Sequence, residues 1–60
     1  MDKAEFKNRY IAQMTRIMGQ YEAYFEFAAT SAYDCYLEDP EDVTPEDQAD
    51  IEVEEWGHNL

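Results

Sequence analysis

Cysteine occurs once, at Cys35, and a single thiol excludes a disulfide within the chain. It also leaves Cys35 and His58 as the only soft metal ligands, where a structural zinc site takes about four, so no metal site is expected. A small secreted domain is normally dense in disulfides, and the expected compartment is therefore a reducing cytoplasm. Long hydrophobic runs are missing too. None approaches the roughly 20 apolar residues that cross a bilayer, and Met1-Asp2-Lys3-Ala4-Glu5-Phe6 leads into an amphipathic pattern rather than a signal peptide. No membrane association is expected.

Positive charge is the scarcest feature. Four Lys and Arg stand against fifteen Asp and Glu, for a net charge of −11. Ten of the acids lie in residues 38–60: Glu38, Asp39, Glu41, Asp42, Glu46, Asp47, Asp50, Glu52, Glu54 and Glu55. That segment has no Lys or Arg, whereas Lys3, Lys7, Arg9 and Arg16 nearly balance residues 1–37. Direct binding to nucleic acid or to an anionic membrane is disfavoured, because both are polyanions. High charge with few apolar residues is the signature of disorder. Here 15% of the chain is aromatic and Ile51, Val53 and Trp56 sit inside the acidic block, so a folded segment is expected.

What is present reads as helix. Sixty residues make one domain at most and bury only about 60% of the unfolded surface, so helix packing, self-association or a partner must stabilise it. Over residues 2–37, Phe6, Tyr10, Met14, Ile17, Met18, Tyr21, Tyr24, Phe25, Ala28, Ala32 and Tyr36 fall in one sector at 100° per residue, a core-facing stripe. Asp2 is the expected N-cap, with Glu5 three residues on. An unbroken helix of this length would run roughly 54 Å at 1.5 Å per residue, so an interruption is expected near Gly19 or near Thr30-Ser31. The stripe keeps its phase through Gly19, which favours a kink there over a hairpin turn. The fold class is thus all-α: a small bundle in which a long amphipathic N-terminal helix packs with a short acidic one.

The second half is better punctuated. Asp39-Pro40 ends the preceding helix, residues 38–44 form an acidic connection, and Thr44-Pro45-Glu46-Asp47 is a helix start with Thr as N-cap and Pro at the first position. The helix is predicted over 45–56, with Gly57 as its stop and 57–60 a tail. Pro45, Ala49, Val53 and Trp56 form a narrow apolar strip. Glu46, Asp47, Asp50 and Glu54 form an acidic stripe beside it, and Ile51 points outward.

Those acids are the candidate site. Glu46, Asp50 and Glu54 are like charges at successive four-residue spacings, each pair costing about 0.2–0.5 kcal/mol. Glu54 and Glu55 occupy the last turn, where the helix dipole favours cations. With no Lys or Arg in the segment, the repulsion is expected to be unrelieved within the chain and relieved by a partner. A row of carboxylates on a helix can stand in for a row of phosphates. The expected partner is a basic nucleic-acid-binding protein, contacted by Glu41, Asp42, Glu46, Asp47, Asp50, Ile51, Glu54 and Glu55, with Ile51 as apolar anchor. Calcium is not expected, since 39–50 lacks the central glycine of an EF-hand loop and carries Val43 and Pro45 inside it. Catalysis is not expected either. His58 lies in the tail, Cys35 falls in the apolar sector as a buried thiol, and no nucleophilic set or cofactor fingerprint is present. The alternative is a small adaptor that forms homodimers through the part of the aromatic stripe that a short helix leaves uncovered, with the acids giving only solubility.

The run Val43-Thr44-Pro45-Glu46-Asp47-Gln48-Ala49-Asp50-Ile51-Glu52-Val53-Glu54-Glu55-Trp56-Gly57 resembles the C-terminal helix of small phage-encoded proteins, among them anti-CRISPR proteins acting on type I CRISPR surveillance complexes. The opening Ala4-Glu5-Phe6 with Arg9-Tyr10 and Met14 is similar to small phage proteins as well. The resemblance implies a cytoplasmic inhibitor of a bacterial defence complex. Its partner would be a Cascade subunit, blocked where it reads the protospacer-adjacent motif or holds target DNA.

Overall fold

The computed structural model describes residues 1–58, residue 58 by its backbone alone. Three helices follow one another: α1 (Lys3–Met18), α2 (Phe25–Glu38) and α3 (Pro45–His58). Asp2 starts α1 in extended conformation, its side chain accepting the Glu5 N–H at 2.8 Å. Gly19 ends it. At φ 83° this residue adopts the left-handed conformation that glycine takes without steric penalty, and its N–H closes on the Thr15 carbonyl at 2.9 Å.

The chain therefore turns back after Gly19, where a kink was expected, and α2 begins only at Phe25. The continuous phase of the stripe is a coincidence of spacing across the turn. Thr30-Ser31 lies within α2, and the Thr30 hydroxyl is absorbed by the Glu26 carbonyl one turn back, at 3.1 Å. At the far end, α3 runs on through Gly57, which does not take a positive φ, to residue 58. The expected stop at 56 falls short by two residues.

Breaking the long helix halves the molecule's length: its extents are 30 × 20 × 16 Å and its radius of gyration 10.8 Å. The core is built on α1, where Phe6, Tyr10 and Met14 recur every four residues and are fully buried. Phe25, Ala29 and Ala32 of α2 meet them, with Pro45 and Ala49 of α3. Phe6 packs against the rings of Tyr33 and Tyr36 at 5.6 and 5.2 Å. Small alanines on α2 and α3 let both helices approach the large side chains of α1. Ala29 lies outside the predicted stripe, while Ile17, Met18, Tyr21 and Tyr24 lie within it and are exposed. They lie in the last turn of α1 and the connection to α2, where the opposing helices cover them only in part, Tyr24 still meeting the Trp56 ring of α3 at 5.9 Å.

Candidate partner-binding surface

The acidic surface begins at the turn after α2. Asp39 receives the N–H groups of Asp42 and Val43 at 3.3 and 3.1 Å, a tight turn that Pro40 favours by presetting φ. Glu41 and Asp42 are exposed on it. Thr44 then caps α3, its hydroxyl accepting the Asp47 N–H at 3.1 Å.

α3 lies against α1 with both helices running the same way, since Arg9 meets Glu46 and, four residues on in each helix, Gln13 meets Asp50. Pro45 and Ala49 are buried and Val53 and Trp56 pack on the core as a narrow strip. That seating sorts the candidate residues. Asp47, Ile51, Glu54 and Glu55 are exposed on the outer face, Ile51 at 51%. Glu46 and Asp50 lie on the flank toward α1.

The flank corrects one expectation. Glu46 is not unrelieved: Arg9 grips it with two hydrogen bonds, Nε to Oε2 at 3.0 Å and Nη2 to Oε1 at 2.6 Å. The hydrogen bond from Arg9 holds the Glu46 carboxyl below the ordinary carboxylate range, against a smaller opposing effect of burial. Asp50 accepts from Gln13 Nε2 at 3.0 Å. Arg9 sits opposite the core stripe on an isolated α1 and reads there as a solvent residue. Glu5 lies 3.8 Å from it one turn back, but the bond to Glu46 depends on the position of α3, 37 residues away in sequence.

Glu52 is the residue that sequence reasoning missed. It lies on the other flank, where it accepts a hydrogen bond from the buried Tyr10 hydroxyl and another from Gln48 Nε2 at 3.3 Å. Burial, followed by that bond and the charge of Glu52, pushes the Tyr10 phenol well above its ordinary value. An unpaired hydroxyl facing a core was the available signal, because a buried tyrosine usually finds a polar partner.

Cys35 is exposed, not buried as expected. Its predicted angle was carried through Gly19 as if the helix were continuous, and the turn resets it. The side chain of His58 lies outside the described residues. Among the described residues no three His, Cys, Asp or Glu side chains are placed to hold a metal ion, and no pocket opens. No described helix is long and apolar enough to cross a membrane. Comparison with protein-family models, with curated proteins and with solved structures gives no match.

Proposed function

We propose that this chain is a non-catalytic inhibitor that occupies a basic nucleic-acid-binding site, its carboxylates standing where phosphates would. The observation that carries the reading is the segregation of charge. Asp47, Glu54 and Glu55 surround the half-exposed Ile51 on the outer face of α3, with Asp50 on the adjoining flank and Glu41 and Asp42 at its approach. All four Lys and Arg residues are on α1, and Arg9 hydrogen-bonds to α3 at Glu46. An outer face of carboxylates with no Lys or Arg on α3 attracts a cationic groove, in which Ile51 supplies apolar burial.

The resemblance to phage anti-CRISPR proteins supports a specific form of this reading. The target is then a Cascade subunit of a type I CRISPR complex in the cytoplasm of a bacterial host, with DNA or protospacer-adjacent-motif recognition blocked and neither nucleic acid nor membrane bound directly. The test is binding to purified type I complexes by wild type and by a variant with Asp47, Asp50 and Glu54 changed to Lys. Glu46 is spared because its reversal would oppose Arg9 and disturb the docking of α3. Loss of binding with an unchanged helical spectrum is the expected result. Undiminished binding of the variant contradicts the proposal.

Exposed rings give a second reading its one support. Tyr21, Tyr24 and Phe27 lie at the surface, as a homodimer seam requires. An adaptor of that kind shows a concentration-dependent mass in sedimentation, lost on Tyr24→Glu or Met18→Glu.

A further inference from the structure

The end of the bundle at Gly19 collects the chain's exposed aromatic surface. α1 stops there at Met18, α2 starts at Phe25, and α3 brings the Trp56 ring to 5.9 Å from Tyr24. Phe25 fills the interior below, with Tyr21 and Tyr24 set edge-on against it at 5.9 and 4.9 Å. Their other faces meet water: Tyr21 is 53% exposed and Tyr24 46%. The Ala28 N–H already bonds the Tyr24 carbonyl at 3.1 Å, so helical geometry extends back to Tyr24. Phe27, three residues further, is then its neighbour on the same face, and it is 80% exposed.

Charge decides what can cover these rings. Glu22 and Glu26 flank them on the turn and on α2, and Glu54 and Glu55 precede Trp56 in the last turn of α3. α1 and α3 both present carbonyl ends here, which add partial negative charge. Against this stand Arg16 and Lys7, the latter 3.5 Å from Glu26. A second copy would bring −11 against −11. A cationic surface is complementary, and arginine suits it best. The guanidinium is planar, stacks on ring faces, and is shed from water more readily than the ammonium of lysine.

We infer that Tyr21, Tyr24 and Phe27 form the second half of the partner surface and receive arginine side chains of the same basic partner. Clefts for single-stranded nucleic acid hold phosphates with cations and stack bases on aromatic or guanidinium planes. In this chain the carboxylates of α3 take the place of the first, and the three rings take the place of the second. The inference rests on the charge-mimicry reading and extends it from α3 to the end of the bundle.

The experiment uses the full chain and two probes, oligo-arginine and oligo-lysine peptides of equal length, at one ionic strength. The arginine peptide is expected to bind more tightly. Phe27→Ser, which removes a ring outside the core, should weaken the arginine peptide by about two- to fivefold and leave the lysine peptide unchanged. Equal affinity of the two peptides for wild type overturns the inference, as does an equal loss of both in Phe27→Ser. A concentration-dependent dimer that Phe27→Ser abolishes also overturns it, by assigning the rings to a second copy. Changing Asp47, Asp50 and Glu54 to Lys separates the two claims. If that variant loses both peptides while Phe27→Ser loses neither, the acidic face stands and the aromatic extension falls. If Phe27→Ser alone weakens binding, the acidic reading falls, and the inference that the rings complete it falls with it.

Discussion

Tyr10 shows at the residue scale how little polar chemistry the core admits. Its ring is buried, and its hydroxyl leaves the interior only by donating to Glu52 at the edge of α3. Tyr10→Phe keeps the ring and removes the donor, so stability in urea should fall by about 1–2 kcal/mol with little change in helical content. The same bond sets a response to alkali. Because the phenol is pushed up in the folded state, its contribution is fully present below the ordinary tyrosine value, about 10, and is lost as pH rises toward the folded value. Tyrosinate absorbance should therefore show one tyrosine ionising only as the helical signal is lost, and Tyr10→Phe should remove that phase. Cys35 responds oppositely. Exposed as it is, it should react with a thiol reagent in native buffer as fast as in urea, and a reaction that waits for urea contradicts its placement.

At the scale of the element, the helices divide into those that local chemistry specifies and those that only packing specifies. α3 was legible almost in full: Pro40, the Thr44 cap, Pro45 and the apolar strip at Pro45, Ala49, Val53 and Trp56 are local signals, and the structure uses each of them. The α1–α2 division was not. Gly19 is one of two candidate breaks in the sequence, beside Thr30-Ser31, and apolar side chains at Ile17, Met18, Tyr21 and Tyr24 carry the helical phase through the turn and mask the reversal. Their exposure is a tertiary fact, set by where the neighbouring helices end. The polar attachment of α3 was equally hidden, since Arg9, Tyr10 and Gln13 bond to acceptors 37 to 42 residues away. Gly19→Ala tests the turn. No atom beyond the adjoining residues lies within 4 Å of the added Cβ, so the cost is that of a side chain in the left-handed region, about 1–2 kcal/mol in thermal or urea unfolding. A neutral outcome would mean that α1 does not end as described.

For the whole molecule, the distribution of charge underlies both the docking of α3 and the proposed recognition. Arg9 ties the acidic helix to α1, and the depressed Glu46 carboxyl gives that tie a pH dependence. A lowered value in the fold means the contribution is present above the ordinary carboxylate value, about 4.3, and is lost as pH falls through the folded value. Wild type and Glu46→Gln should thus differ in unfolding midpoint at neutral pH and converge in acid. Asp47, Glu54 and Glu55 face outward around Ile51, and the proposal is that a nucleic-acid site takes them for phosphates. Competition measures this most directly. Labelled target DNA is bound to a purified type I CRISPR complex, and the chain is added at increasing concentration and two salt levels. Charge mimicry gives stoichiometric displacement of the DNA, weaker at higher salt and absent when Asp47, Asp50 and Glu54 are changed to Lys. DNA that stays bound at saturating chain, or is displaced equally by wild type and the reversed variant, would contradict it.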